Sequence, residues 1–587
     1  MKRIATAVWL VSGLLIILGS VAIHPAQIVH HFLPPSLPRY ETGLVEGLRL
    51  TKGFLVLDGI LCLLAPFWSR WLEGPANGKE ILACSDPVSR SELGLIGAVT
   101  FLGAALRLYH LGVGFSYDEI VVSMSMMERG IPYLLARAEV WRSLYALCGH
   151  VLYGLFGRSE FVAHLPSFFC GTASIPALYF FVRDSLGKKE AFWSAVFLAV
   201  SGFHIWYSQI ATSYSMALFF SLLSMLILTR CLTRPGLRPW IGWGGVVFLA
   251  LYSHFFVAAF AILGQAAYLI CLLLERRISW LPARQFLATL TYCGAVFLTL
   301  AVWNLPVYAN ILTGLAGSQN AYFVDAEPRG TVIGQLGLFR EWLFQPYAPG
   351  WLQWCGVAIA ALGFFLLWRR SKAMAVYLCL PTVVLWVIFA AGILRRITPR
   401  HSIFTLIPLC ILLSLCATAA PQWAFVMSKR FARAAAPFLV AAPLLAASAI
   451  SLATYYQTER SVFRPTGVFL NQHVSPGENV YLAGFGYDAF HYYLPSLQKM
   501  GTYDQRGELT YDQLGELLSR AEPFWLIVYT ENSMQDMPPP LQASLRARGT
   551  LRFDCVGFPE HYADVHESYV WYVRSATPPG HAGSDRE

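Results

Sequence analysis

The chain has 587 residues, 56 % of them hydrophobic and only 13 % charged, with a formal net charge of +9 and a mean hydropathy of +0.51. A soluble protein of this size carries about a quarter charged residues, so the composition excludes a soluble globular protein. The basic residues are spread through short segments between apolar runs, which is how a membrane protein sets its orientation, and this argues against a nucleic-acid partner.

In chain order, Met1-Lys2-Arg3 precedes AVWLVSGLLIILGSVAI. No small-x-small cleavage site follows cleanly and a second apolar segment comes soon after, so this reads as a retained helix rather than a signal peptide. Spans are predicted at 7–24, 51–69, 92–112, 159–182, 190–207, 213–231, 240–252, 256–274, 284–307, 351–369, 373–392, 402–419 and 434–453, from apolar runs of about 18 residues or more. With the N-terminus inside, every second loop should be cytoplasmic. Those loops hold Arg70, Lys79 and Arg90; Arg183, Lys188 and Lys189; Arg230, Arg234 and Arg238; Arg276, Arg277 and Arg284; Arg369, Arg370 and Lys372; Lys429, Arg430 and Arg433.

The parity requires that 141–157, WRSLYALCGHVLYGLFG, does not cross; it is short and interrupted by Arg142 and His150. The span at 240–252 is short enough to be broken or re-entrant. After about 454 the pattern changes to the strand-like runs VYLAGF, FWLIVYT and ESYVWYVR, with a helical YDQLGELLSRAEP between the first two. The expectation is a polytopic α-helical membrane protein of about 13 transmembrane helices with a small extracytoplasmic C-terminal α/β domain. Its parts are an N-terminal hairpin and cytoplasmic loop at 1–91, a transmembrane core at 92–453 with outer loops 113–158 and 308–350, the α/β domain at 454–576, and a disordered tail at 577–587. Most of the twelve cysteines lie in apolar runs without metal spacing, and Cys555 stands apart from the others in the C-terminal region.

Charge is scarce, so its clusters stand out. Asp118 and Glu119 sit side by side at the outer end of the third span, preceded by Arg107 and followed by Arg137, Glu139 and Arg142. Carboxylates near a helix start are also ordinary solvated residues. Further outer turns hold WYSQIATSY at 206–214, with Gln209 and Tyr214, and LYSHFF at 251–256, with His254. The segment RRITPRH supplies Arg395, Arg396, Arg400 and His401 on the side where few basic residues are expected. Guanidiniums gathered there suit a phosphate, and headgroup contact is the competing explanation. An outer acid with an outer phosphate site suggests sugar transfer from a lipid phosphate. Asp118 would take the acceptor hydroxyl proton, and the arginines would offset charge on the departing phosphate. No Gly-rich nucleotide-binding turn is present.

On RLYHLGVGFSYDE (107–119), GRSEFVAHLPSFFCG (157–171), YSQIATSYSMALF (207–219), LYSHFF (251–256) and PRH (399–401), the chain resembles GT-C superfamily membrane glycosyltransferases. The resemblance covers most of 92–420 and is to the bacterial dolichyl-phosphate-mannose protein mannosyltransferase and aminoarabinose transferase type. It implies a GT-C fold, a polyprenyl-phosphate-linked sugar donor, inversion at the anomeric carbon, and a site facing the periplasm or exterior of a bacterial inner membrane. It further implies Asp118 as catalytic base, with Glu119 and Glu139 orienting donor or acceptor, and Arg400 holding the lipid phosphate beside Arg395, Arg396 and His401. Arg107, Arg137, Gln209, Tyr214 and His254 are the expected substrate contacts. Some relatives use a divalent cation; the acids here are too few and too widely spaced to define a metal site.

The chain departs from its relatives in QIATSY, where many carry an acidic-Arg-Tyr run, in lacking Pro-Pro-Leu after the second acid, and in His401, where tyrosine is usual. These departures leave the sugar open, and the acceptor open among glycan, lipid and protein. Two alternatives stay in view: a polysaccharide ligase or polymerase using a lipid-diphosphate glycan, and a lipid-linked-sugar transporter, for which Asp58 in the second span is the ionisable residue to expect.

Overall fold

The computed structural model describes residues 2–32, 41–72, 87–128, 143–233, 236–302, 337, 340, 343, 348–390, 399–423, 430–483, 487–497, 515–518, 522–530, 539–556 and 567–574. Among these, nine helices are long and apolar enough to cross a bilayer. Thr6–Ala22 and Pro25–His31, bent by 75°, make a tenth if counted as one span. The protein is therefore an integral membrane protein, and among its described residues the long apolar helices number fewer than the 13 spans expected. The difference has local causes. The run at 190–207 is interrupted at Ser201, where Lys188–Val200 ends and Gly202–Ser208 begins, with the Ser201 Oγ accepting from His204 N at 3.3 Å. Arg238–Ser253, at 16 residues, is shorter than a crossing helix needs.

Ser143–Phe156 is likewise an apolar helix of 14 residues. At 1.5 Å per residue it spans about 21 Å, well short of the roughly 30 Å hydrocarbon layer.

Contacts divide the chain into two compact units, one formed by Met1–Leu111 and Ser125–Leu452, the other by Gly112–Met124 and Ala453–Glu587. In the first, helix Arg90–Leu108 begins at Ser89, whose Oγ accepts from Glu92 N at 3.2 Å, and it packs on Glu160–Ser185 and Lys188–Val200. Gly103 permits that approach, because a Cβ there would collide with Ile175. Gly171 plays the same part against Ser208.

The second unit is built on a four-stranded sheet of order β1-β2-β4-β3, comprising β1 (Asn479–Ala483), β2 (Phe524–Thr530), β3 (Gly549–Val556) and β4 (Glu567–Val573). β1 and β2 run parallel, whereas β4 is antiparallel to both of its neighbours. Tyr481, Phe524, Leu526, Val528, Trp571 and Val573 point to one face and pack with Leu517, Leu518 and Leu545. Helix Phe463–His473 is tied to β4 by Thr466 Oγ1 donating to Ser568 Oγ at 3.0 Å. Strands β1, β2 and β4 fall on the runs predicted from the sequence, whereas β3 was not anticipated. β3 is an edge strand carrying Arg552 and Asp554 among its apolar residues, with a register irregularity between Leu551 and Phe553. Cys555 is a free thiol in β3; burial and the nearby Glu459 and Asp554 carboxylates push it up to about 11. The tail at 577–587 and most of 308–350 lie outside the described residues.

Candidate active site

The acid pair opens a short helix, Tyr117–Val122, whose N-cap is Ser116. The sequence S-Y-D-E places Glu119 three residues after the cap, where its carboxylate reaches back to Ser116 N at 2.7 Å. Glu119 is fully buried, and its other oxygen pairs with Arg460 Nη2 at 2.5 Å, both side chains being shielded from solvent. A buried charge pair of this kind stands only if its remaining polar atoms are matched, and Glu119 uses both oxygens. Asp118, one residue earlier, is half-buried.

The backbone leading into this helix is held as firmly. Ser461 Oγ donates to Phe115 O at 2.6 Å, Phe115 N donates to the Tyr493 hydroxyl at 2.7 Å, and Arg464 Nη1 donates to Gly112 O at 2.8 Å. Gly114 admits the Arg464 stem, since a Cβ there would lie 2.7 Å from Arg464 Cβ. The Phe115 and Tyr492 rings meet at 5.8 Å. Gly112–Met124 and these partners all belong to the second unit, whereas the sequence pattern grouped the first outer loop with the membrane core.

The remaining candidates that are described lie in the first unit. Arg107 is fully buried. Its Nη1 donates to Gly103 O and Ala199 O at 2.7 and 2.9 Å, its Nη2 to Leu198 O at 3.1 Å, and its Nε to Ser208 Oγ at 3.2 Å. Nη2 also lies 2.7 Å from His204 Nδ1, which accepts. The guanidinium thus caps the end of helix Lys188–Val200, a setting that favours a cation. The expectation that Arg107 touches substrate meets a side chain enclosed by its own protein. Gln209 is similarly enclosed: its Nε2 donates to Arg107 O at 2.8 Å and to Tyr109 O, covering carbonyls left open where helix Arg90–Leu108 ends. His164, also buried, donates through Nδ1 to Leu111 O at 2.5 Å.

Tyr214 and His254 are brought together, their rings 4.9 Å apart. His254 is the N-cap of helix Phe255–Leu274, its Nδ1 accepting from Val257 N at 3.5 Å. Arg400 is half-buried in a 3-10 turn, Pro399–Thr405, that packs against helices Tyr214–Thr233 and Phe255–Leu274, with Phe404 stacked on Phe260 at 4.9 Å. His401 follows Arg400 in the same turn. Three expected positions, Tyr214, His254 and Arg400, therefore belong to elements in mutual contact within one unit. Arg137, Glu139, Arg395 and Arg396 lie outside the described residues. Among the described residues, no group of three or more His, Cys, Asp or Glu is placed to hold a metal ion.

Arg460, Ser461 and Arg464 were not anticipated from the sequence. A usable signal existed: TERSVFR places two arginines just beyond the last predicted span, on the side where the positive-inside rule expects few.

A sequence model of the dolichyl-phosphate-mannose-protein mannosyltransferase family matches residues 144–303. No curated protein matches. Among solved structures, ArnT from Cupriavidus metallidurans in the apo state aligns with a TM-score of 0.50 and 14 % identity, covering 81 % of this chain and 98 % of that one. The oligosaccharyltransferase of Archaeoglobus fulgidus, in a complex with zinc and sulfate, aligns at 0.47 and 11 % identity, over 78 % of this chain and 71 % of that one. The arabinosyltransferase EmbB of Mycobacterium smegmatis aligns at 0.43 and 13 % identity, over 72 % and 46 %. The chain shares the polytopic fold of ArnT and has a sheet-containing C-terminal region.

Proposed function

We propose that the protein is an inverting glycosyltransferase that moves one sugar from a polyprenyl-phosphate carrier to an acceptor on the extracytoplasmic side of a bacterial inner membrane. The observation that carries this reading is the built acid pair, in which Glu119 is held by Ser116 N and Arg460 and its neighbour Asp118 is half-buried on the same pinned helix start. A base needs that combination of a fixed position and access to the acceptor hydroxyl. Asp118 accepts the acceptor's proton as the hydroxyl attacks the anomeric carbon, and the bond from that carbon to the lipid phosphate oxygen breaks. Arg400, with Arg395, Arg396 and His401 adjoining it in sequence, offsets the charge on the departing phosphate. Glu139 and Arg137 orient donor or acceptor.

Several likenesses support the reading. The protein mannosyltransferase family model matches part of the chain, and the fold is like that of ArnT. The Cupriavidus enzyme has also been captured with undecaprenyl phosphate, and an archaeal oligosaccharyltransferase with dolichol phosphate.

The test is transfer from a radiolabelled polyprenyl-phosphate sugar in membranes containing wild type or Asp118→Asn. The variant inserts at wild-type level and loses transfer by about a hundredfold or more, the range of general-base removal. Undiminished transfer by Asp118→Asn would remove Asp118 from the role of base.

A further inference from the structure

The C-terminal region has no role in the chemistry proposed above, yet the segment bearing the acid pair is built into it. Arg460 and Ser461 come from the stretch that leads into helix Phe463–His473, Arg464 from its first turn, and Tyr493 ends the helix Tyr487–Tyr493. Between them they bind Glu119, the carbonyl of Phe115, the carbonyl of Gly112 and the N–H of Phe115. Tyr493 is itself fixed, with its carbonyl accepting from Asn471 Nδ2 at 3.0 Å and its Cβ against Gly467, where any side chain would clash. Helix Phe463–His473 is bonded through Thr466 to Ser568 in β4. A continuous set of contacts thus runs from the sheet to the residue beside Asp118.

We infer that Arg460 is a positioning residue: acting through Glu119, it fixes the helix start that carries Asp118, which makes the C-terminal unit part of the catalytic apparatus. The inference rests on the glycosyltransferase reading for the word catalytic, and on the geometry alone for the anchoring. Arg460 suits the task because its guanidinium keeps its charge and donates from Nη2 to Glu119 Oε1, while the burial of both partners removes the competition of water. Removing it leaves Glu119 as an uncompensated buried carboxylate, so the turn Ser116–Glu119 must open or rearrange. Asp118 moves with it.

The experiment measures hydrogen–deuterium exchange of peptides covering 112–124 in the intact detergent-purified protein, without substrate, for wild type, Arg460→Lys, Arg460→Gln and Tyr493→Phe. kcat and KM for a polyprenyl-phosphate sugar are measured alongside. In Arg460→Gln the exchange of 112–124 rises while that of β1–β4 is unchanged. Its kcat falls by about a hundredfold, the scale of a 1 Å misplacement, with KM for the donor held within about twofold. Arg460→Lys, which keeps the charge, restores part of kcat.

Tyr493→Phe deletes only the hydroxyl that accepts from Phe115 N–H. It raises exchange at 115–116 in the same way, and so serves if Arg460→Gln does not fold. Unchanged exchange of 112–124 in both variants overturns the inference, as does an increase spread over β1–β4, which is general destabilisation. Retained kcat in Arg460→Gln overturns the positioning role while leaving the glycosyltransferase reading intact. Absence of transfer by wild type sinks that reading instead, and the exchange data, taken without substrate, tell the two failures apart.

Discussion

Arg107 shows how far a single residue can be read from sequence. A lone arginine near the outer end of an apolar helix invites a functional role, and nothing local says otherwise. Its partners, Leu198, Ala199, His204 and Ser208, lie some ninety to a hundred residues away, and only the packing of Arg90–Leu108 against Lys188–Val200 brings them within reach. The same holds for Glu119, whose partner Arg460 is 341 residues distant. Asp118 and Glu119 were legible as a pair; that Arg460 holds Glu119 was not.

The enclosure of Arg107 has a measurable consequence. Arg107→Met leaves the carbonyls of Leu198 and Ala199 without their donor inside the protein, at a cost of about 3 kcal/mol, since each buried unsatisfied acceptor costs about 1–3. Thermal unfolding in detergent reports this as a clear fall in Tm, and a Tm equal to wild type would show that the site adapts or that Arg107 is not so enclosed.

At the scale of elements, hydropathy located most of the spans, because a bilayer of fixed thickness demands long apolar helices whatever their neighbours do. It failed where a helix is interrupted from within. Ser201, ahead of a glycine in SGFHIWYS, turns one predicted span into two helices, and serine and glycine at that spot are a boundary signal that the apolar run obscured. Strand β3 escaped for another reason: Arg552 and Asp554 break its apolar run, as charges on an edge strand do.

The non-crossing of 141–157 is the sequence-level expectation on which the proposed orientation depends. The structure gives it a 14-residue helix, a hydrogen bond from His150 Nδ1 to Met127 O at 2.7 Å, and an ion pair between Arg158 and Glu128 at 3.5 Å that joins the two flanks of the segment. Cysteines placed at Glu128 and at Arg158 are therefore expected to react with a membrane-impermeant maleimide from the same side of sealed vesicles. Labelling from opposite sides would mean that the segment crosses, and the orientation of every later loop would reverse.

Over the whole molecule, the sequence conveyed a membrane protein with a compact α/β region at its end. Assigning that region a part in the acid site required the fold, since Gly112–Met124 groups with Ala453–Glu587 through residues that no local pattern connects. The proposed chemistry needs a donor already carried by a lipid, which accords with a chain that shows no nucleotide-binding turn. The central claim is the nature of that donor. The most direct measurement is native mass spectrometry of the intact protein, wild type beside Asp118→Asn, purified with its membrane lipids. The account predicts a polyprenyl monophosphate bearing a single sugar, retained more fully by the variant that cannot turn it over. A polyprenyl diphosphate bearing a longer glycan would contradict it and point to a ligase or polymerase.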